Sequence, residues 1–404
     1  MLDHGIAHLA QGGIMSPFTK LNALLADIEP GHTNPILMSV GEPRETMPSF
    51  VVDKIAEAQE TFAKYPHVSG SPALREAISA WLTRRYDLSS PLDPATQVHP
   101  INGSREGLFY AVLPAVGRRT FEAQPAVLIP NPFYQTYAGA AFAAGCEPVY
   151  LTSDETTGFL PDLDALENNP ALLARAAAFY LCSPGNPQGA IASAAYLKRA
   201  IALARAHNFM LFADECYSEI YAGDAPTGAL QAADVMGEGL ANVVAFNSLS
   251  KRSNLPGLRS GFCAGDAAFI AMLMEVRNVV GPQMPLPIQH ASAAIWAEEQ
   301  HVAVNRAAYR EKFALCDRLL HGKFGYRRPD GGFFLWLNMS HLGGGEAATV
   351  TFWQRCGVKV VPGAYLAQAD AEGRNPGDDY VRVALVHEVA TIEEALQRIV
   401  DVAA

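Results

Sequence analysis

Short continuous apolar runs alternate with alanine-rich stretches through the middle of the chain. Five such runs end at polar or turn residues: PAVLIP (125–130), AAAFYLC (176–182), NFMLFAD (208–214), NVVAFN (242–247) and GFCAG (261–265). The stretches between most of them have helical composition, as in residues 193–208. Uninterrupted apolar runs suit strands buried on both faces, and intervening helices suit a parallel sheet. The pattern therefore predicts an α/β fold with a mostly parallel central sheet.

The pattern changes after about residue 290. A long helix is predicted over 290–320, and a final helix is predicted at the end of the chain. Three strand-like runs lie between them: GGFFLWLN (331–338), VKVVP (358–362) and DYVRVALV (379–386). This succession predicts a smaller α+β domain.

The length of 404 residues suits two domains of ordinary size. Residues before about 48 have no obvious place in the central sheet, and we assign them to the small domain. The prediction is a large domain over 48–289, and a small domain formed by 1–47 together with 290–404.

Composition narrows the classes of partner. Acidic residues outnumber basic ones, 41 to 30, and the formal charge of −11 argues against nucleic acid and anionic membranes. The first residues have no signal-peptide pattern, and no stretch is apolar enough for a membrane span. The six cysteines are widely spaced, as in proteins of a reducing compartment. We expect a cytoplasmic protein.

Polar motifs follow the predicted strands, where ligands bind in open α/β sheets. In INGSREGLF (101–109), a turn at Asn102, Gly103 and Ser104 opens a helix. The free N–H groups of a helix start attract anions such as phosphate. The alternative interpretation is an ordinary helix cap at Ser104.

Two further motifs carry groups that could hold an aromatic heterocycle. Asp214 ends an apolar run and could pair with a cationic ring nitrogen, while Tyr217 could hydrogen-bond a ring oxygen. In CSPGNPQG (182–189), Asn186 stands between glycine and proline in a loop that neither helix nor strand can continue. A helix cap and a plain tight loop are the alternatives.

Lys251 follows the run NVVAFN, with Ser248 and Arg259 nearby in SLSKRSNLPGLRSGF (248–262). A lysine amine has a reference pKa of about 10.4 and is a poor nucleophile while protonated. Desolvation or neighbouring cations lower that pKa and favour attack on an aldehyde. The alternative is a solvated surface lysine.

Phosphate anchors, an acid for a ring nitrogen, donors for a ring oxygen and a lysine for an aldehyde together describe pyridoxal 5′-phosphate. The chain also resembles the fold-type I, class I and II aminotransferases over nearly its whole length. The motifs that carry this resemblance are SVGEP (39–43), YPHVSGSPALREAI (65–78), NGSREGLF (102–109), NPFYQTY (131–137), SPGNPQG (183–189), DECYSEIY (214–221), SLSKRSNLPGLRSGF (248–262), PDGGFFLW (329–336) and YVRVALV (380–386).

The resemblance implies a role for each matching residue. Lys251 would bond covalently to the cofactor and move the substrate proton, with Asp214 at the ring nitrogen and Tyr217 at the ring oxygen as the other catalytic residues. The cofactor-binding set would also include Gly103, Ser104, Arg105, Tyr134, Asn186, Ser248 and Arg259. The substrate would meet Gly41, Asn186 and Arg382, with Arg382 holding its α-carboxylate. A cis bond is expected at Asn186–Pro187.

Tyr65 is implied to reach the phosphate of a neighbouring subunit, which makes the expected active unit a homodimer with shared sites. Within the family, the chain most resembles the succinyldiaminopimelate aminotransferases. The implied reaction transfers an amino group from N-succinyl-LL-2,6-diaminopimelate to 2-oxoglutarate in lysine and diaminopimelate biosynthesis. A further cation or a helix start should then face the distal carboxylates. Arg44 and Arg277 are candidates, or else surface charges.

Other readings of the same residues stay open. The motifs would equally suit a pyridoxal-dependent carbon–sulfur β-lyase, or an aminotransferase for aspartate, N-acetylornithine or an apolar amino acid. A cofactor-sensing regulator with a DNA-binding module is disfavoured by the acidic charge and by the first motif at residue 39. No metal site is expected, because His67 and His290 stand in no cluster with ligand spacing.

Overall fold

The computed structural model describes residues 7, 9 and 13–403. Residues 1–6, 8, 10–12 and 404, which belong to the predicted small domain, lie outside the described residues. None of the helices in the described part of the chain is long and apolar enough to cross a bilayer.

The strands in chain order are β1 (Ile36–Leu37), β2 (Val98–Ile101), β3 (Ala126–Asn131), β4 (Glu147–Thr152), β5 (Ala176–Cys182), β6 (Met210–Asp214), β7 (Val243–Ser248), β8 (Gly261–Gly265), β9 (Phe334–Asn338), β10 (Val358–Lys359), β11 (Val361–Pro362) and β12 (Tyr380–Ala384). The α-helices span Pro17–Leu24, Val51–Glu57, Pro72–Tyr86, Ser104–Gly117, Gln135–Ala143, Leu163–Glu167, Pro170–Arg175, Ala194–Ala206, Ala229–Asp234, Leu249–Arg252, Ala267–Val280, Leu286–Ala297, Gln300–Leu320, Gly345–Cys356 and Val389–Ala403.

A seven-stranded sheet in the order β2-β8-β7-β6-β5-β3-β4 forms the centre of the fold. The five apolar runs all form strands of this sheet, and the prediction of a mostly parallel α/β sheet is confirmed. β3, β4, β5, β6 and β7 pair in parallel. β8 runs antiparallel to both neighbours, a direction that its apolar pattern does not encode.

The sheet separates two hydrophobic layers. Phe179 packs in one apolar cluster, and the next residue on β5, Tyr180, packs in the other. Successive strand residues point to opposite faces, so this division shows that both faces of β5 are covered. Burial on both faces explains why the central strands read as continuous apolar runs.

A smaller antiparallel sheet, β11-β12-β9, is built from the C-terminal part of the chain. The run 358–362 divides, because β10 pairs in parallel with β1 while β11 pairs with β12. The predicted final helix is confirmed as Val389–Ala403, and its Ile392 and Leu396 pack in the same apolar cluster as Leu335 and Val383.

The predicted single helix over 290–320 is wrong, because the structure has two helices, Leu286–Ala297 and Gln300–Leu320. Glu298 interrupts them in an extended conformation, and its carboxylate accepts the N–H groups of Gln300 at 2.5 Å and His301 at 3.2 Å. A carboxylate stabilises free N–H groups at a helix start. The proposed domain boundary at 289/290 lies within the first helix, whose Trp296 packs in the core of the large sheet.

Strand direction decides which residues meet. β3, β5, β6 and β7 are parallel, so their carboxyl ends lie along one edge of the sheet. The reversed β8 brings its amino end to that same edge. Residues that follow the parallel strands therefore meet residues that precede β8.

Candidate active site

A cavity of about 460 Å³ opens at this edge, between the seven-stranded sheet and residues of the smaller sheet. Most of the residues singled out from the sequence line it. These residues are Gly41, Ser104, Arg105, Tyr134, Asn186, Asp214, Tyr217, Ser248, Lys251, Arg259 and Arg382. The structure therefore brings together motifs that are up to about 340 residues apart in the chain.

Lys251 stands in the short helix Leu249–Arg252, directly after β7. Its Nζ donates a hydrogen bond to the Gly41 carbonyl at 2.5 Å and lies 5.2 Å from the centroid of the Phe333 ring. Burial, together with the charges of Arg382 and Arg259, lowers the pKa of Lys251 from 10.5 to about 8. A substantial fraction of this amine is neutral near pH 8 and is therefore nucleophilic.

Asp214, the last residue of β6, is a buried carboxylate. Its Oδ2 accepts a 2.6 Å hydrogen bond from the Tyr137 hydroxyl, and its Oδ1 accepts the Cys216 N–H at 3.3 Å. Burial raises the pKa of Asp214, while these hydrogen bonds oppose the rise. Among the described residues Asp214 forms no ion pair, so a cationic group entering the cavity would find an uncompensated carboxylate.

Tyr137 was not singled out from the sequence, although it ends the motif NPFYQTY. It is buried, its ring stacks on Tyr180 at 4.3 Å, and the edge-to-face contact with Tyr134 measures 5.6 Å between centroids. Burial raises its pKa well above 10, which keeps the hydroxyl protonated as a donor to Asp214. Its position three residues after Tyr134, on the first turn of the helix Gln135–Ala143, was the available clue.

Asn186 and Tyr217 lie on the side of the cavity where the two sheets approach. Asn186 Oδ1 accepts a hydrogen bond of 3.1 Å from Arg382 Nη1, and the Asn186–Pro187 peptide bond is cis as expected. The Tyr217 ring packs edge-on against Phe333 and Phe334, at 5.4 and 5.9 Å between centroids. Burial raises the pKa of Tyr217 well above 10 and keeps its hydroxyl protonated.

The turn before the helix Ser104–Gly117 meets Arg259 closely. Gly103 caps this helix with a φ of +83°, a left-handed conformation that favours glycine. A Cβ at Gly103 would lie 2.5 Å from Arg259 Nη2, so a larger residue there would displace the guanidinium from this position. Arg259 Nη2 also donates to the Asn102 carbonyl at 3.3 Å. A helix start and an arginine thus converge in a setting that suits a phosphate.

Three other predicted cofactor contacts occupy defined positions. Ser248 is buried and precedes the helix that carries Lys251. Arg105 Nε donates a hydrogen bond to the Tyr134 hydroxyl, which orients the Tyr134 ring at the cavity wall. Tyr65 lies elsewhere: it does not line the cavity of its own chain, and its side chain is fully exposed.

Arg382 projects from β12 into the cavity and is buried. Its Nη2 donates to the Ser39 carbonyl at 2.8 Å, and its guanidinium lies 4.3 Å from the centroid of the Phe334 ring. Burial lowers the pKa of Arg382 to about 10, so it is still cationic at neutral pH. Its buried Nε has no hydrogen-bond partner among the described residues, which leaves a donor for an incoming carboxylate.

The two candidates for a distal carboxylate lie outside the cavity. Arg277 is buried and paired with Glu106 at 2.8 Å, so it is neither a distal contact nor a surface charge. Arg44 is exposed and contacts His387 at 3.1 Å. Among the described residues that line the cavity, the lysines and arginines are Lys251, Arg105, Arg259 and Arg382. The expected further cation is not supplied by this part of a single chain.

The donor set fits pyridoxal 5′-phosphate. The buried carboxylate of Asp214 lines the cavity, where a protonated ring nitrogen could pair with it, and Gly103 leaves the approach of Arg259 to the helix start open. The amine of Lys251, with its lowered pKa, lies in the same cavity and suits an aldehyde.

Comparisons with known proteins agree with this chemistry. The profile of the family "Aminotransferase class I and II" matches residues 33–399. A 4-dedimethylamino-4-oxo-anhydrotetracycline transaminase, OxyQ, from Streptomyces rimosus is 32% identical, over 90% of this chain and 92% of that protein. An LL-diaminopimelate aminotransferase from Nitratidesulfovibrio vulgaris is 29% identical, over 95% of each chain.

The fold is also similar to that of a solved aminotransferase. The crystal structure of an aminotransferase from Neisseria meningitidis superposes with a TM-score of 0.90 at 37% identity, over 96% of this chain and 98% of that one. Family profile, relatives and fold confirm the resemblance found in the sequence. The chain belongs to the class I and II aminotransferases, fold-type I enzymes that depend on pyridoxal 5′-phosphate.

Proposed function

We propose that this aminotransferase transfers the amino group of N-succinyl-LL-2,6-diaminopimelate to 2-oxoglutarate, giving N-succinyl-2-amino-6-oxopimelate and glutamate. The observation that carries the amino acid part of this proposal is Arg382. Its buried guanidinium shares a cavity with the Lys251 amine and keeps Nε free among the described residues. A planar guanidinium matches an α-carboxylate in two parallel hydrogen bonds.

Two similarities support the choice of donor. Several stretches resemble succinyldiaminopimelate aminotransferases, above all DECYSEIY (214–221) and SLSKRSNLPGLRSGF (248–262). Cofactor chemistry does not dictate the Cys-Tyr-Ser-Glu run of the first or the Lys-Arg-Ser-Asn run of the second. Relatives across 95% of the chain include LL-diaminopimelate aminotransferases, whose named substrate has the same carbon skeleton. A role in lysine and diaminopimelate biosynthesis is part of the same proposal.

The residues that line the cavity have separate roles in the proposed reaction. When bound, pyridoxal phosphate supplies an electron sink that stabilises the charge left at the substrate Cα after its proton departs. Asp214 would hold the ring nitrogen in its protonated form, and Tyr217 and Asn186 would hold the ring oxygen. Lys251 Nζ would take the proton from the substrate Cα as general base and, as general acid, would deliver it to the C4′ carbon of the cofactor. Arg382 fixes the substrate so that its Cα faces Lys251.

Part of the cavity wall favours a second candidate, an aminotransferase for an apolar amino acid. Pro17, Phe18, Val40 and Leu366 contribute apolar side chains to this wall. An aminotransferase for an apolar amino acid would need no cation there. The succinylated donor, in contrast, has distal carboxylates. The cations that line the described cavity are already assigned to the cofactor and to the α-carboxylate.

A homodimer with shared active sites is part of the main proposal. The exposed Tyr65 belongs to a segment that, by family resemblance, reaches the site of a second subunit. A partner subunit could also supply the cation that the distal carboxylates require. A cytoplasmic location remains a prediction from the sequence.

The test is a panel of amino donors with 2-oxoglutarate as acceptor. We expect the highest kcat/KM for N-succinyl-LL-2,6-diaminopimelate, compared with aspartate, N-acetylornithine, leucine and unmodified diaminopimelate. A ten-fold preference for a simple amino acid, equivalent to about 1.4 kcal/mol of transition-state binding, would overturn the donor assignment. Elimination of thiol from a cysteine conjugate without any need for an oxo acid would instead indicate the β-lyase.

A further inference from the structure

Arg277 is a buried arginine outside the cavity. It contacts the strand β2, the helix Ser104–Gly117 and the segment at Pro282. It stands in the last turn of the helix Ala267–Val280. Its guanidinium donates to Glu106 Oε1 at 2.8 and 3.2 Å, to the Pro100 carbonyl at 3.0 Å and to the Pro282 carbonyl at 2.9 Å. It also donates to His99 Nε2 at 2.6 Å.

His99 accepts the hydrogen bond from Arg277 as a neutral imidazole. An arginine can only donate, so His99 Nε2 must accept and the proton must sit on Nδ1. Burial and the charge of Arg277 lower the pKa of His99 to about 3, in agreement with a neutral ring. Glu106 therefore balances the positive charge of Arg277, and the neutral His99 adds no second positive charge beside it.

Glu106 links Arg277 to the turn at Asn102 and Gly103, beside the cavity. It lies in the first turn of the helix Ser104–Gly117, and its Oε2 accepts the Asn102 N–H at 2.7 Å. The Asn102 side chain donates to the Pro282 carbonyl at 2.7 Å, the same carbonyl that Arg277 binds. Both the main chain and the side chain of Asn102 are thus held by groups that contact Arg277.

Asn102 then sets the distance between the helix start and Arg259. Its carbonyl accepts from Arg259 Nη2, and a Cβ added at the next residue, Gly103, would lie 2.5 Å from the same guanidinium. A shift of this turn would move the N–H groups at Ser104 relative to Arg259. Anion sites of this kind depend on donors held in place before the ligand arrives.

We propose that Arg277 is a positioning residue for the phosphate of the cofactor, acting through Glu106 and Asn102 on the turn at Gly103. The proposal rests on the assignment of this turn and of Arg259 to the phosphate, and it does not depend on the identity of the amino donor. Removing Arg277 should weaken the binding of the cofactor phosphate and leave the binding of the pyridine ring unchanged.

The test compares two ligands on cofactor-free protein, pyridoxal 5′-phosphate and pyridoxal, by titrating their visible absorbance. Arg277→Met should weaken the affinity for pyridoxal phosphate by at least ten-fold and change the affinity for pyridoxal less than two-fold. Inorganic phosphate should also compete less well with pyridoxal phosphate in the variant. Arg277→Lys, which keeps the charge but cannot span all the acceptors, should give an intermediate loss.

A matched control is Arg398→Met. Arg398 is largely buried, donates to the carbonyls of Asn34 and Cys356 and pairs with Glu394, but lies on the final helix. It should leave both affinities unchanged. Equal weakening of both ligands by Arg277→Met or Arg277→Lys, or no weakening in either variant, would overturn the proposal. If Arg277→Met does not fold, the same comparison with Arg277→Lys decides.

Discussion

The hydroxyl of Tyr137 lies 2.6 Å from Oδ2 of Asp214, and both side chains are buried. The two residues are 77 positions apart in the chain. Tyr137 belongs to the segment that follows β3, and Asp214 ends β6, so the parallel sheet brings them to one edge. Tyr137 thereby fixes the carboxylate that we expect to meet the ring nitrogen of the cofactor.

Tyr137→Phe should slow transamination and weaken cofactor binding. A hydrogen bond to a charged group contributes about 1.5–3 kcal/mol, so each loss should be roughly ten- to hundred-fold. The measurements are the single-turnover rate with an amino donor and the dissociation constant of the cofactor. The ultraviolet–visible pH titration of the bound cofactor should also shift, since Asp214 would lose a donor.

Tyr180→Phe is the matched control for this prediction. Tyr180 stacks on Tyr137 and is equally buried, but its hydroxyl donates to the Leu108 carbonyl at 2.5 Å. We expect its effect on both quantities to be under about three-fold, apart from a loss of stability. Equal effects of the two variants would show that Tyr137 contributes packing only.

The reactivity of Lys251 should follow its lowered pKa. The neutral amine attacks an aldehyde, so the rate of pyridoxal phosphate addition to cofactor-free protein should rise with pH through the pKa of the lysine. With a pKa of about 8, the rate should be half-maximal near pH 8. Stopped-flow absorbance would measure this profile.

The comparison is with an unperturbed lysine, whose pKa is 10.5. At pH 8 such a lysine would offer about two orders of magnitude less neutral amine. Arg382→Gln removes one cation that lowers the pKa of Lys251, so its profile should move to higher pH. A profile in the wild-type protein that rises only above pH 10 would contradict the burial argument.

Arg382→Lys should raise KM and lower kcat/KM for amino donors by about 100-fold, because a lysine cannot form the paired hydrogen bonds to a carboxylate. An amine without an α-carboxylate should lose much less. The control is Arg44→Lys, since Arg44 is exposed, contacts His387 and does not line the cavity. A comparable loss in Arg44→Lys would place a substrate carboxylate at Arg44 instead.

Shared active sites can be tested by complementation. Chains carrying Lys251→Ala and chains carrying Tyr65→Phe, mixed and allowed to exchange subunits, should form hybrid dimers with one intact site and one doubly altered site. The mixture should then exceed the mean activity of the two parents. Activity equal to that mean, despite subunit exchange shown by mass spectrometry, would count against a shared site.

The sequence predicted the central sheet well because its strands are buried on both faces. It did not reveal β2, whose sequence Val98–Ile101 contains His99 and Pro100 at a sheet edge. Nor did it reveal β4, the opposite edge strand, which is partly exposed. Edge strands lack the continuous apolar run that marks a central strand.

The residues that we propose to contact the cofactor are easier to find in the sequence than the residues that hold them in place. Lys251 and Asp214 stand in motifs at strand ends, where chain position alone indicates the ligand edge. The contacts of Tyr137 with Asp214 and of Arg277 with Glu106 join residues 77 and 171 positions apart. Such pairs depend on strand order and on the direction of β8, neither of which a local pattern encodes.

The most direct test of the account is the site of cofactor attachment. The purified protein, saturated with pyridoxal phosphate, is reduced with borohydride and digested, and the modified peptide is identified by mass spectrometry. We predict one modification on Lys251, within the sequence SLSK, and none on that peptide in Lys251→Ala protein. A wild-type protein that is left unmodified, or is modified at another lysine, would contradict the assignment of Lys251 and the active site built around it.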